Sequence, residues 1–373
     1  MTIRSRKEDH LRLALEDVEA HRAVPWEEIE LLHDSVPELD YRDVDISCEL
    51  LGRRLGAPFV ISGMTGGHSG ACDVNARLAR VASRFGLAMG VGSQRAAILD
   101  PTLRDTFRVA RAEAPDVFLL ANLGVAQLVE QESGPALGLD DVRCAIDMIR
   151  ADALAVHLNF LEEVVQPEGD RNARGCLEAI GVLVHGLGPT FPVVAKETGS
   201  GLSPTCAAAL AEVGVAALDV GGRGGTSFAA VEGLRAAEGG DEVRSRLGQT
   251  FRDWGIPTPV SVIGAVETGI PVIASGGIRS GYDAARALAL GANAVGIARP
   301  VLRAALQGEE ALVAWVEAFL AELRTALFLT SSRSVGDLHA KPIVVLGNTL
   351  RWCDQLGLHP APRREWRARE YLG

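Results

Sequence analysis

Between Pro58 and Pro300 the chain repeats one unit eight times: a short apolar run, a polar or glycine-rich end, then a segment of helical spacing. The runs cover residues 59–65, 87–93, 117–122, 153–159, 192–198, 216–220 and Val272–Ser275, with the eighth beginning at Ala294. Uninterrupted, β-branched runs of this length read as strands covered on both faces. Between them, segments such as 74–85, 204–213 and 282–290 space their apolar residues by three and four and are rich in alanine. Each parallel strand needs a crossover helix before the next can lie beside it. Eight alternating units therefore predict an α/β chain: a single (β/α)8 TIM barrel with an N-terminal extension.

The chain has 373 residues, 47% of them hydrophobic, enough to fill one barrel with extensions and no second domain. The expected division is an N-terminal arm and wrap over 1–55, the barrel over 56–330, and a C-terminal extension packed on it over 331–373. Residues 11–24 have the pattern of an amphipathic helix. A formal net charge of -11 argues against a nucleic-acid surface, so an anionic ligand must be met by a local basic cluster. The six cysteines, at 48, 72, 144, 176, 206 and 353, show no CxxC pairing and read as buried hydrophobes in a reducing, cytoplasmic setting. No apolar run approaches the length of a membrane span.

Polar residues at the C-terminal ends of barrel strands face the active site. Strand seven ends in Gly276 and Gly277, which allow a sharp turn and a close ligand approach. A helix starting near Gly281 would aim its N-terminal N–H groups there, with Arg279 and Arg299 adding charge, a pattern suited to phosphate. The other strand ends offer Met64, Thr65 and Gly66; Ser93, Gln94 and Arg95; Asn122; His157 and Asn159 followed by Glu162 and Glu163; Lys196 and Glu197; and Gly221 to Ser227. Arg95 and His157, with Arg6, Lys7 and His10 of the arm, would make a second anion site. Two anion sites suggest a phosphorylated cofactor and a phosphorylated substrate. Glu163 beside the second suits Mg2+ bridging to phosphate oxygens. Lys196 fits either hydrogen bonding to an electron-rich ring or a Schiff base. Residues 164–175 and 232–257 are expected as long loops over this face, the second either a lid or a disordered insert.

Taken in order, Arg6-Lys7-x-x-His10, Gly63-Met-Thr-Gly-Gly67, Gly92-Ser-Gln-Arg95, His157-Leu-Asn159, Gln166-Pro-Glu-Gly-Asp170, Lys196-Glu-Thr-Gly199, Gly224-Gly-Thr-Ser227 and Ser275-Gly-Gly-Ile-Arg279 resemble type 2 isopentenyl diphosphate isomerase. The resemblance implies an FMN- and Mg2+-dependent barrel enzyme acting on a prenyl diphosphate. It also implies a homo-oligomer (tetramer or octamer) that needs NADPH only to reduce its flavin. By position, Met64, Thr65, Gly66, Ser93, Asn122, Lys196 and Thr226 resemble the residues around the flavin. Gly277, Ile278, Arg279, Ala298 and Arg299 resemble its phosphate loop. Arg6, Lys7, His10, Ser93, Gln94 and Arg95 resemble the substrate contacts, His157, Asn159, Glu162 and Lys196 the catalytic group, and Glu163 the metal ligand.

Three positions depart from the family pattern: Glu162 replaces a glutamine, Phe228 a tryptophan, and Ala173 an aromatic residue. The alternatives they raise are an altered reaction or larger prenyl diphosphate substrate, and a non-catalytic FMN-binding protein. Oxidation of a 2-hydroxy acid would need a histidine base near the end of strand six, and Asp219-Val-Gly-Gly-Arg-Gly-Gly has none.

Overall fold

The structure, a computed structural model, describes residues 18–19, 25–68 and 70–360. Arg6, Lys7, His10, most of the helix expected over 11–24, and residues 361–373 lie outside the described residues. In chain order the strands are β1 (Ile29–Leu31), β2 (Cys48–Leu50), β3 (Arg53–Leu55), β4 (Phe59–Ile61), β5 (Ala88–Gly90), β6 (Leu119–Gly124), β7 (Ala153–Leu158), β8 (Val193–Glu197), β9 (Ala217–Asp219), β10 (Val272–Ser275), β11 (Ala294–Ile297) and β12 (Ile343–Val345). Strands β4 to β11 pair in parallel in chain order, and β11 closes on β4 through Val295 opposite Phe59 and Ile297 opposite Ile61. This is the (β/α)8 barrel that the eight repeated units predict. All but one of its strands fall within the apolar runs; β6 continues to Gly124.

Period-two alternation divides each strand between two cores. Val60, Leu120, Val194 and Ile273 share a buried cluster with Leu50 and Leu55, so the β2–β3 hairpin, which leads directly into β4, closes the N-terminal end of the barrel. Phe59 and Ile61 face outward into the larger core beneath the helices. There the Phe59 ring lies 5.0 Å from Phe319 and meets Trp315 edge-on at 6.2 Å, on the helix Glu309–Leu329. Burying an aromatic side chain of this size contributes roughly 1.5–3 kcal/mol. The antiparallel pair β1–β12 joins the two flanking segments, with Ile29 opposite Val345.

Residues 232–257 correct the sequence expectation. They form neither a loop lid nor a disordered insert, since most belong to the helices Phe228–Glu238 and Glu242–Thr250. The two pack backbone to backbone: a Cβ on Gly233 would come within 2.9 Å of Gly248 Cα. Two facing glycines supply the contact that apolar periodicity would otherwise announce. The cysteine reading also needs correction, because Cys206 is exposed and only Cys176 and Cys353 are buried. Among the described residues, no helix is long and apolar enough to cross a membrane.

Candidate active site

A cavity of about 290 Å³ opens at the C-terminal mouth of the barrel, and every barrel strand end contributes to it. Met64, Thr65, Gly66, Ser93, Arg95, Asn122, His157, Asn159, Glu162, Glu163, Lys196, Thr226, Gly277, Ile278, Arg279, Ala298 and Arg299 all line it. Gln94 does not. Its side chain is fully buried in the barrel wall, donating to Ala145 O at 2.7 Å and accepting from Asn122 N at 3.0 Å. A fully satisfied amide of this kind buttresses Asn122 and does not reach a ligand, so its expected substrate contact is withdrawn.

One end of the cavity is basic. Gly276 and Gly277 have φ of 110° and 74°, and a Cβ on Gly277 would meet Gly224 O at 2.5 Å, so the turn tolerates only glycine. Helix Gly281–Ala289 follows, but its N-terminus is not open as expected. Asp283 N donates to Ser280 Oγ, Gly281 N to Glu322 Oε2, and Arg279 N to Asp283 Oδ2. Side-chain caps have consumed those donors, leaving the guanidinium groups and loop amides to meet an anion. Arg279 Nη2 and Arg299 Nη1 both bond Glu19, at 2.6 Å and 2.9 Å, one to each carboxylate oxygen.

The middle of the cavity holds Lys196, whose Nζ lies 3.3 Å from Asp219 Oδ2 and donates to Glu197 O at 3.1 Å. Asp219 also accepts from the Ser275 hydroxyl. On the neighbouring strand β7, directly beside Lys196, His157 Nδ1 is 2.8 Å from Asn122 Oδ1, while Asn122 Nδ2 is committed to Val91 O. That network makes Nδ1 the protonated nitrogen and fixes the ring plane. Beside Lys196, Glu197 Oε2 accepts the N–H groups of Gly199, Ser200 and Gly201 at 2.6–2.8 Å. Burial pushes the Glu197 carboxyl up to about 7, outweighing those bonds and the nearby Lys196 charge.

The far end is acidic. Asn159 Nδ2 donates to both Glu162 Oε2 and Glu163 Oε1, each at 3.1 Å, and Asp170 N donates to Glu163 Oε2 at 2.8 Å. Arg95 Nη1 pairs with Asp170 Oδ2 at 2.6 Å. Burial alone would raise the Asp170 pKa, but the Ser133 hydroxyl and the Arg95 charge hold it below the ordinary value. Residues 164–175, expected as a lid, are tied down: Arg171 donates to Gln166 O at 2.9 Å, and Arg235 pairs with Glu168. Among the described residues, three buried atoms on the cavity wall have no partner, namely Ser62 Oγ, Asn159 Oδ1 and Gln166 Nε2.

Sequence reasoning missed Glu19, Asp219, Ser275 and Ser62. Glu19 alone had no such signal; Asp219, Ser275 and Ser62 are polar groups at or beside barrel strand ends.

Residues 202–345 match the family profile described as FMN-dependent dehydrogenase. The chain is 48% identical to an isopentenyl-diphosphate delta-isomerase of Methanoregula boonei, covering 94% of this chain and 96% of that protein. It is 46% identical to the protein of the same name in Methanosarcina barkeri, over 96% of each. Among solved structures it is similar to a mandelate oxidase variant carrying a monooxide FMN adduct, with a TM-score of 0.56 and 20% identity over 91% of this chain and 92% of the other. That last likeness concerns the fold alone.

Proposed function

Since the chain belongs to the isopentenyl-diphosphate delta-isomerase family, we propose that it interconverts isopentenyl and dimethylallyl diphosphate, with reduced FMN and Mg2+ and without net redox change. One observation carries the reading. A cavity shared by all eight strand ends keeps buried, unpartnered Ser62 Oγ, Asn159 Oδ1 and Gln166 Nε2 on its wall. Buried polar atoms are normally satisfied, so these three are suited to ligand atoms.

The residues fit each implied group. Arg279, Arg299 and the Gly276–Gly277 amides would hold the FMN phosphate. Glu163 would be the one carboxylate ligand of Mg2+, and among the described residues no three His, Cys, Asp or Glu side chains form a metal cluster. That suits an ion completed by substrate phosphate oxygens and water. Reduced FMN, when bound, supplies the proton exchange that moves the double bond, and NADPH serves only to reduce it.

The protein's part is orientation and charge. Arg95 and His157 hold the diphosphate, with the His157 ring fixed by Asn122. Asn159 keeps Glu162 and Glu163 side by side. Lys196, ion-paired with Asp219 and donating to Glu197 O, would donate to the flavin ring and steady negative charge on it. Glu162, within a hydrogen bond of Asn159, holds or accepts a proton near the prenyl chain.

The test is anaerobic turnover of labelled isopentenyl diphosphate with FMN, Mg2+ and a flavin reductant. Labelled dimethylallyl diphosphate is the expected product. A protein that binds flavin but makes none of it would be the non-catalytic flavin binder instead.

A further inference from the structure

We infer that Glu19 competes with the flavin phosphate for Arg279 and Arg299 and so sets how tightly the barrel holds phosphorylated flavin. This rests on assigning the basic end of the cavity to that phosphate. The Glu19 carboxylate gives one oxygen to each guanidinium, at 2.6 Å and 2.9 Å. These are the two side-chain cations of the glycine-turn end, and the carboxylate bridges them as two phosphate oxygens would. A phosphomonoester brings nearly two negative charges and three acceptor oxygens to the same donors. Both anions together would set about three negative charges against two positive ones, so binding of one favours departure of the other.

The surroundings allow the side chain to leave without unfolding its segment. The Glu19 carboxylate is about one-third exposed. Its backbone is anchored independently: Ser227 N donates to Val18 O at 2.8 Å, Arg252 Nε to Glu19 O at 2.9 Å, and Glu19 bridges Thr226 in antiparallel fashion. Val18 is buried against Ala230 and Val231. None of these contacts involves the carboxylate. Rotation of one side chain therefore clears the cradle, while Val18 and the main chain of Glu19 stay in place.

Binding measurements separate this role from a structural one. FMN and riboflavin, which lacks the phosphate, are titrated by fluorescence quenching into flavin-free parent protein, Glu19→Gln and Glu19→Ala at low ionic strength. Both variants should bind FMN about three- to tenfold tighter, as expected when a competing charge-assisted contact is removed. Riboflavin affinity should change less than about twofold by the same reasoning. Weaker FMN binding by Glu19→Gln would overturn the inference and make Glu19 a support for the phosphate. Equal shifts for FMN and riboflavin would overturn it too, in favour of a general effect on the pocket. If no flavin binds to parent or variants, the cofactor reading itself fails, a separate result visible in the parent alone.

Discussion

Arg95 reaches Asp170 across 75 residues of chain, Nη1 to Oδ2 at 2.6 Å, with the carboxylate side chain 3% exposed and the guanidinium 24% exposed. The pair anchors Arg95, whose Nη2 also donates to Ser133 Oγ at 3.4 Å, on the cavity wall and leaves Asp170 almost sealed from water. The carboxylate, with its pKa held below 3.8, contributes stability that is present above that value and lost as pH falls through its folded pKa. Arg95→Ala should therefore lower Tm at pH 7 and narrow the Tm difference between pH 7 and pH 3. It should also raise KM for isopentenyl diphosphate about tenfold or more, the worth of one charge-assisted hydrogen bond. Calorimetry across pH and steady-state kinetics check the two halves, and an unchanged KM would remove Arg95 from the substrate site.

Arg279 should matter to the flavin and not to the substrate. Arg279→Ala should release FMN on gel filtration, whereas Arg95→Ala should retain it, because the two side chains serve opposite ends of one cavity. Comparable flavin loss from both proteins, read from the visible absorbance band, would show that the two anion sites are misassigned.

Glu163 and Glu162 share the Asn159 amide but should respond differently to the same change. Glu163→Gln removes the proposed metal ligand, so its turnover should recover partly as Mg2+ is raised. Glu162→Gln leaves the metal requirement where it was and removes a group able to accept a proton. With isopentenyl diphosphate and a longer prenyl diphosphate as paired substrates, Glu162→Gln distinguishes two cases. Ordinary isomerase activity in the parent, no better in the variant, is the expected outcome. Gain of isomerase with loss of activity on the longer substrate would instead show that Glu162 had redirected the site.

Glu197 should make stability depend on pH in the direction opposite to Asp170. Its folded pKa lies near 7, above the ordinary 4.5, so between those values the folded protein keeps a proton that the unfolded chain has released. Stability from this group is full below about 4.5 and falls as pH rises towards 7. Glu197→Gln keeps an acceptor oxygen for Gly199, Ser200 and Gly201 but does not titrate. Denaturant midpoints at pH 5 and pH 7.5 should differ less in the variant than in the parent; an equal difference would rule Glu197 out as the source.

The barrel was legible because parallel strands buried on both faces announce themselves as apolar runs, and their polar C-terminal ends name the site. Residues such as His157 and Lys196 could be placed at the mouth from that pattern alone. The orientation of side chains could not. Gln94 sits between Ser93 and Arg95, both on the cavity, yet turns into the wall to satisfy its amide against Ala145 and Asn122. Glu19 arrives from outside the repeat and meets residues 260 and 280 positions away, beyond any local pattern. The paired helices Phe228–Glu238 and Glu242–Thr250 escaped because their closest contact is made by Gly233 and Gly248, which carry no apolar side chain to read.

Strand β1 finds its partner only at Ile343–Val345, after all eight barrel strands have been made. On a ribosome, Ile29–Leu31 must wait for some three hundred residues to emerge before its edge is covered. Folding that starts from neighbouring barrel strands joins segments close in sequence, whereas this seam closes a very large loop and rewards only a nearly complete chain. Release of nascent chains stopped before Ile343 would leave β1 unpaired, so protease sensitivity around residues 29–31 would record whether synthesis had passed that point.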